Sequence, residues 1–271
     1  MHERERHDVI LATVQDSPVA TVQRLVELTQ SSEATVRRDI AALHLQKKVR
    51  RVRGGAVAVS AVPFHVMAGR PFADRMTINM EQKRAIARRA VALCDDNEPI
   101  IINGGTTTFQ MVPYLRDRQL QIFTNSFPIA ETLLKQSQNT VMMPGGTIYR
   151  EINIILSPFE NDVSRNFSAR RMFIGGQGVS RLGLMETDPL LIQAEQKLLG
   201  QADELVVLVD STKFSVRSSL IVCGLDQVST LITDTGISDD TRTMLLDSGV
   251  RLITVEPAAQ ETAGRVSGVA Q

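Results

Sequence analysis

Six short apolar runs, separated by longer amphipathic stretches, constrain the fold of the larger, C-terminal part of this 271-residue chain. In sequence order the runs are EPIIIN, LQIFTN, NTVMMP, RRMFIG, ELVVLVD and STLITD. Short runs that are apolar throughout are typical of strands buried on both faces, and intervening helices allow such strands to pair in parallel. The pattern predicts an α/β domain with a mostly parallel sheet over residues 79–255.

The chain directly after the first run resembles a phosphate-binding loop. Its residues are Asn103, Gly104, Gly105, Thr106, Thr107 and Thr108. Glycines let backbone N–H groups approach an anion, and the amino end of the following helix carries partial positive charge. A Gly-Gly turn capped by threonine also occurs for purely structural reasons. Because the loop lacks the lysine of a nucleotide P-loop and the spacing of a dinucleotide fingerprint, ATP, GTP and NAD are disfavoured and no cofactor is predicted.

Polar residues also follow the other predicted strands, or lie on a helix that reads AEQK. They are Thr124, Asn125, Gly145, Gly146, Tyr149, Arg150, Asp210 and Lys213, with Glu195 and Lys197 on the helix. In open parallel sheets, ligands bind beyond the carboxyl ends of the strands. Amide, hydroxyl and cationic groups that converge at this edge suit a polyhydroxy, phosphorylated ligand.

Residues 1–58 predict a separate domain with a helix-turn-helix outline. The apolar spacing indicates three helices, of which the second is capped by Thr21 and the third buries a stripe that includes Val36 and Ile40. Arg38 lies opposite that stripe, which suits a helix that enters the major groove of DNA. Asp39 lies nearer the core, and we expect it to pair with an arginine of the segment that follows.

That segment reads QKKVRRVRGGAVAV and predicts a two-stranded basic wing. Residues 33–56 hold seven Lys or Arg and two acids, in a chain whose 30 basic and 30 acidic residues cancel. Such a cluster is often only a solvated surface, but here it coincides with a helix-turn-helix, which favours duplex DNA as the partner. The absence of Trp and the 4% aromatic content disfavour single-stranded nucleic acid. The predicted DNA contacts are Thr35, Arg37, Arg38, Lys48, Arg50, Arg51 and Arg53.

Two motifs in this region, SEATVRRDI and RVRGGA, resemble the amino-terminal signature of DeoR-type bacterial transcriptional regulators. The chain differs from that pattern at Lys47, where the family usually has glycine, and at Arg53, where histidine is commoner. The larger domain resembles the family's effector domain, which is related in fold to ribose-5-phosphate isomerase. There Asn103 replaces the usual first aspartate. Asn103 and the segments ILSP, GLMETD and AEQKLL resemble the sequence pattern of one branch of the family, the branch that includes the repressor of ascorbate utilisation.

The resemblance implies a repressor of a carbohydrate catabolic operon that binds operator DNA as a homo-oligomer, a dimer or a tetramer, under control of a phosphorylated sugar or sugar acid. An isomerase fused to a DNA-binding domain is the alternative, with Glu195, Asp210 and Lys213 as candidate acid and base groups. The stretch GQGVSRLGL lacks the clustered acids of the isomerase relatives, so a binding domain without catalysis is expected.

Sequence composition also bounds the rest of the chain. Residues 59–78 are predicted to form a packed linker, and residues 256–271 a disordered tail. Cys94 and Cys223 lie in apolar runs without neighbouring ligands, so no metal site is predicted. The charged amino terminus and the lack of a long apolar stretch predict a cytoplasmic protein that does not enter a membrane.

Overall fold

The computed structural model describes residues 2–16, 20–46, 48–52, 54–58, 72–159 and 161–257. The chain divides into two compact units, Met1–Phe64 and His65–Gln271. Most of the predicted linker and almost all of the predicted tail lie outside the described residues. So do Lys47 and Arg53 and the side chain of Arg50, all of which the sequence assigned to the basic segment.

The smaller unit is a three-helix bundle with a β-sheet wing. Its elements are α1 (Glu3–Asp16), β1 (Ala20–Thr21), α2 (Val22–Thr29), α3 (Glu33–Leu45), β2 (Val49–Val52) and β3 (Gly55–Ala58). Val36, Ile40 and Leu43 of α3 are buried as the periodicity predicted, and they pack with Ile10 and Leu25 of the other helices. Thr21 caps α2 by accepting a hydrogen bond from the backbone N–H of Arg24.

Two details of this unit differ from the sequence prediction. In the described residues the wing has three strands in the order β1-β3-β2, because Ala20 and Thr21 pair with β3. Among the described side chains the arginine that pairs with Asp39 is Arg6 of α1, whose Nε lies 2.7 Å from the Asp39 carboxylate. The ion pair therefore joins the first and third helices instead of tying α3 to the wing.

In the part of the chain that the structure describes, the larger unit is built on a seven-stranded sheet with the order β15-β14-β12-β9-β4-β5-β6. The strands are β4 (Pro99–Ile102), β5 (Gln121–Thr124), β6 (Thr140–Met142), β9 (Ala169–Ile174), β12 (Ala202–Leu208), β14 (Thr230–Asp234) and β15 (Arg251–Val255). All neighbouring pairs are parallel, which confirms the predicted sheet. The six predicted strands are present, and β15 adds an edge strand.

Helices cover both faces of this sheet. They are α4 (Phe72–Met76), α5 (Met80–Val91), α6 (Thr106–Phe109), α7 (Val112–Leu115), α8 (Phe127–Gln136), α9 (Pro189–Leu199) and α10 (Asp239–Asp247). Alternate strand residues enter two different cores: Ile101 packs in one, while Ile100 and Ile102 pack in the other. The continuous apolar runs are explained by this burial on both faces.

Three further features surround the carboxyl edge of the sheet and were not predicted. The hairpin of β7 (Thr147–Tyr149) and β8 (Ile154–Leu156) follows β6. A small antiparallel sheet combines β10 (Gly178–Ser180), β11 (Gly183–Glu186) and β13 (Leu220–Cys223). Helix α4 occupies residues that the sequence assigned to the linker, and Phe72 packs edge-on against Phe109 at 5.8 Å between ring centroids.

Candidate effector site and DNA-binding surface

A cavity lies at the carboxyl edge of the sheet, where several predicted residues meet. The predicted residues that line it are Gly104, Gly105, Thr106, Thr107, Glu195 and Lys213. Its volume is about 60 Å³, several times the roughly 10–15 Å³ that one water molecule requires. The remaining wall consists of Phe72, Arg75, Lys83, Ile152, Ile154, Gly175, Gly176, Gln177, Glu186 and Leu191.

The loop between β4 and α6 is shaped by close packing against the β7–β8 hairpin. A Cβ atom on Gly104 would lie 2.7 Å from Cγ1 of Ile154, so a larger residue here would force the Ile154 side chain to shift. Thr108 is fully buried and its hydroxyl donates to the carbonyl of Gly105 at 3.1 Å. Thr106 and Thr107 therefore contribute to the cavity wall, whereas Thr108 holds the loop from behind.

Behind the loop, three amide groups form a chain of hydrogen bonds that ends at α9. The N–H of Gly104 donates to Oδ1 of Asn125 at 2.8 Å, and Nδ2 of Asn125 donates to Oδ1 of Asn103, also at 2.8 Å. Nδ2 of Asn103 then donates to Oε1 of Glu195 at 2.9 Å. Thr124 is buried beside this chain and its hydroxyl accepts from the N–H of Ser126. Asn103, Thr124 and Asn125 thus support the cavity without lining it.

Three cationic side chains line the cavity, and burial acts on each of them. It lowers the pKa of Lys83 to about 8, against the opposing charge of Asp210. It also lowers the pKa of Lys213, which Asp210 and Glu186 oppose, and the pKa of Arg75, which Glu186 opposes. Nζ of Lys83 donates to the backbone carbonyl of Arg75 at 2.7 Å, which ties α5 to α4.

Three carboxyl groups accompany these cations. Burial is the main cause that raises the pKa of Glu186 and of Glu195, and for Glu195 the nearby charge of Glu186 adds to the rise. Asp210 is buried just outside the cavity wall, where it accepts hydrogen bonds from Asn79 and from the backbone and hydroxyl of Thr212. Its charge acts on Lys83 and Lys213 from behind.

Three buried polar atoms of the cavity wall have no hydrogen-bond partner among the described residues. They are Nε of Arg75, Oε1 of Gln177 and Oε2 of Glu195. Unpaired buried polar atoms are rare in native proteins because each forfeits its hydration without compensation. One donor and two further polar oxygens in one cavity match the hydrogen-bonding groups of a polyhydroxy anion.

Five of the predicted effector-binding residues lie elsewhere. Gly145, Gly146, Tyr149 and Arg150 belong to the hairpin, where a Cβ atom on Gly146 would lie 2.2 Å from the carbonyl oxygen of Leu156. Tyr149 packs against the cluster formed by Ile152, Ile154 and Leu191, and Arg150 is exposed. Lys197 donates to the carbonyl oxygens of Ser157 and Phe159. Gly146 therefore fits the close pairing of the hairpin, and Lys197 holds the loop at residues 157–159, outside the cavity wall.

Four polar residues of the wall were missed by the sequence analysis: Arg75, Lys83, Gln177 and Glu186. Gln177 follows β9 after two glycines, so the rule that ligands bind at strand ends applies to it as well. Glu186 ends a strand of the antiparallel sheet, which had no clear sequence signal. Arg75 lies on a helix of five residues, too short to show a period.

The predicted DNA-binding residues with described side chains lie on α3 and β2 or between them. Arg38 and Lys48 are exposed and form no ion pair among the described residues. Arg37 pairs with Glu33, whose Oε1 lies 2.9 Å from its Nε, and the hydroxyl of Thr35 shares a hydrogen bond with Ser32. A groove between α3 and the wing is lined by Arg37, His44 and Arg51 among others.

Comparisons with known proteins agree with both units. Residues 6–62 match the family model described as a DeoR-like helix-turn-helix domain, and residues 78–235 match the DeoR C terminal sensor domain. The HTH-type transcriptional regulators UlaR of Shigella dysenteriae serotype 1 and of Escherichia coli K12 are both 33% identical over 259 residues. Each alignment covers 94% of this chain and 100% of the relative.

Two solved structures match the chain at low sequence identity. Ribose 5-phosphate isomerase A from Methanocaldococcus jannaschii shares 18% identity at a TM-score of 0.38, over 50% of this chain and 55% of that one. The enzyme from Neisseria gonorrhoeae gives 17% and 0.36, over 49% and 52%. No helix within the described ranges is long and apolar enough to span a membrane. With a family match to each unit and full-length relatives, the chain belongs to the DeoR family of helix-turn-helix transcriptional regulators.

Proposed function

We propose that the protein represses a carbohydrate catabolic operon and that a phosphorylated sugar or sugar acid in the cavity lowers its affinity for operator DNA. The observation that carries the proposal is the composition of the cavity wall. Arg75, Lys83 and Lys213 converge there with the glycine-threonine loop and with unpaired oxygens of Gln177 and Glu195. Cations and N–H groups suit a phosphate, and carboxyl and amide oxygens suit sugar hydroxyls.

We assign the effector contacts to the residues that line the cavity. From the predicted set these are Gly104, Gly105, Thr106, Thr107, Glu195 and Lys213, and Arg75, Lys83, Gln177 and Glu186 join them. Asn103, Thr124, Asn125 and Asp210 position these groups from behind.

The DNA contacts are proposed for Thr35, Arg37, Arg38, Lys48, Arg50, Arg51 and Arg53. One such unit covers too little DNA for tight, specific binding, so the operator complex needs at least two copies of the chain with matching half-sites. The cytoplasm, where both operator and sugar phosphates occur, is the proposed location. Effector control requires a coupling free energy of about 1–3 kcal/mol between the two sites.

A sugar-phosphate isomerase is the second candidate, and one observation favours it. Glu186 and Glu195 both line the cavity with Lys213, so the structure supplies acids that the stretch after β9 lacks in sequence. An isomerase of this kind removes a proton from the carbon next to the carbonyl, and the base must be ionised to do so. Burial opposes ionisation of both carboxyls, which favours binding without turnover.

The experiment that tests the proposal compares Lys213→Ala with the wild-type chain. A duplex selected by the purified protein from a random pool serves as the operator, and its affinity is measured by fluorescence anisotropy with and without pentose and hexose phosphates. We expect a sugar phosphate to weaken DNA binding by the wild type, whereas Lys213→Ala binds the duplex normally and does not respond.

Lys135→Ala is the matched control, because Lys135 is exposed on α8 and pairs only with Glu131 among the described residues. It should respond like the wild type. A response by Lys213→Ala equal to that of the wild type would show that the effector binds elsewhere. Steady conversion of the sugar phosphate by the wild type, lost in Glu195→Gln, would establish the isomerase instead.

A further inference from the structure

The hydrogen-bond chain behind the cavity fixes which atom of Glu195 faces a ligand. A backbone N–H can only donate, so the bond from Gly104 requires Oδ1 of Asn125 as its acceptor. Nδ2 of Asn125 must then donate to Oδ1 of Asn103, which leaves Nδ2 of Asn103 to donate to Oε1 of Glu195. The direction of the chain is set by the backbone and does not depend on how either amide is assigned.

The second carboxyl oxygen, Oε2, is left for the cavity. It is buried and has no hydrogen-bond partner among the described residues, and Glu195 as a whole is 4% exposed. Ile154 and Leu191 line the same cavity, beside its polar and charged residues. An ionised carboxylate in this position would lose its hydration and gain in return only the hydrogen bond that Oε1 accepts from Asn103.

The charged groups around Glu195 do not favour its ionisation. Glu186 of β11 acts on it with a like charge, and the buried thiol of Cys223 on β13 also lies within its electrostatic reach. The cations Arg75 and Lys213 act on Glu186, while Lys83 interacts with Asp210. On α9 itself, Lys197 binds the backbone at residues 157–159 instead. Burial and Glu186 accordingly raise the pKa of Glu195 well above its usual range.

We propose that Glu195 acts as a neutral carboxylic acid whose Oε2 hydroxyl donates a hydrogen bond to the effector, so that the site selects a ligand with a carbonyl or carboxylate oxygen at that position. This inference rests on the proposed function of the cavity. It assigns opposite roles to two unpaired oxygens of the cavity wall: Oε2 of Glu195 donates, whereas the amide oxygen of Gln177 accepts from a hydroxyl.

The proposal fixes the sign of the pH dependence. If the effector binds the protonated form of Glu195, affinity is complete below the pKa of this group and falls as the pH rises through it. Burial lowers the pKa of Lys83 to about 8, so Lys83 loses its positive charge as the pH rises through that value. This loss also lowers the affinity for an anionic effector. Glu195→Gln keeps Lys83 but removes the titrating carboxyl, so the difference between the two profiles belongs to Glu195.

The binding test uses three probes that share a phosphate and differ at C1: ribonate 5-phosphate, ribose 5-phosphate and ribitol 5-phosphate. Calorimetric titration of the full chain should show that ribonate 5-phosphate binds about tenfold more tightly than ribitol 5-phosphate. That ratio corresponds to about 1.4 kcal/mol of binding free energy. Glu195→Gln, whose amide also donates, should keep this preference within about threefold, while Glu195→Met should abolish it. Equal losses in the Gln and Met variants, or a preference for ribitol, would overturn the proposal.

A second measurement needs no ligand. Infrared difference spectra between the wild type and Glu195→Gln at neutral pH should contain the carbonyl band of a protonated carboxyl group. A carboxylate band in its place would overturn the neutral acid and leave the proposed function standing. If none of the three probes binds the wild type, the proposed selectivity is overturned, and so is the idea that the effector is a pentose phosphate. This holds whatever the infrared result.

Discussion

Arg38 and Lys48 carry the same charge at different positions of the DNA-binding unit, and their removal should have different effects. Arg38 lies on α3, on the side opposite the buried stripe, where its guanidinium group can reach base edges. Lys48 is exposed just before the wing, where we expect it to contact backbone phosphate. The first residue is therefore expected to carry sequence information and the second mainly affinity.

We predict that Arg38→Ala lowers operator affinity by about 1–3 kcal/mol and affects random DNA much less. Lys48→Ala should weaken both duplexes alike and reduce the slope of log K against log salt by about one. Anisotropy titrations over a series of salt concentrations measure both quantities. If Arg38→Ala weakens random and operator DNA equally, Arg38 contacts the backbone and does not read bases.

At this scale, helical geometry explains why one of two predicted residues on α9 lines the cavity and the other does not. Glu195 and Lys197 are two positions apart on α9, so their side chains differ by about 200° around the axis and cannot both face one cavity. Glu195 lines the cavity, and Lys197 binds the loop on another side. The sequence contained this information. It held no comparable signal for Arg75, which precedes the sheet and reaches the cavity only through tertiary packing.

Among the elements, those with strong hydrophobic patterns were predictable and those formed by local pairing were not. The parallel strands bury both faces, which gives continuous apolar runs, and the carboxyl ends of such strands meet at one edge. The strands β1, β7 and β8 are two or three residues long, which is too short for a hydrophobic period to appear. The sequence pattern therefore gave no sign that Gly146 lies in the close pairing of this hairpin.

Glycines 54 and 55 offer a test of the third wing strand, because they differ in what surrounds them. A Cβ atom on Gly55 would lie 2.2 Å from the carbonyl oxygen of Ala20, so Gly55→Ala should separate β1 from β3 and disturb the wing. Gly54 has φ 85° with no atom within 4 Å, so Gly54→Ala should cost only about 1 kcal/mol of backbone strain.

We therefore expect Gly55→Ala to lower operator affinity well below that of Gly54→Ala and to lower the melting temperature of the smaller unit further. Anisotropy and thermal unfolding of the full-length variants provide the comparison. Equal effects of the two substitutions would mean that pairing with Ala20 and Thr21 contributes nothing to the DNA-binding form of the wing.

For the whole molecule, the two-unit organisation was readable because each unit has its own pattern: helical stripes with a basic segment in one, buried strands in the other. The boundary was less readable. Phe72 and Arg75 line the cavity of the larger unit although their stretch has the composition of a linker. The part of the chain that connects the units thus continues directly into an element of the candidate effector site.

Linkage between the two sites makes a prediction that needs no further structure. If a sugar phosphate lowers operator affinity by a given factor, saturating operator must lower sugar-phosphate affinity by the same factor, within the range of about 5- to 150-fold that corresponds to 1–3 kcal/mol. Calorimetric titration of the effector into free and operator-bound protein measures one direction, and anisotropy with and without effector measures the other. A scrambled duplex at equal concentration is the control and should leave effector affinity unchanged. Unequal factors at one protein concentration would show that the effector also shifts the association of the chains, because assembly would then enter only one of the two measured equilibria.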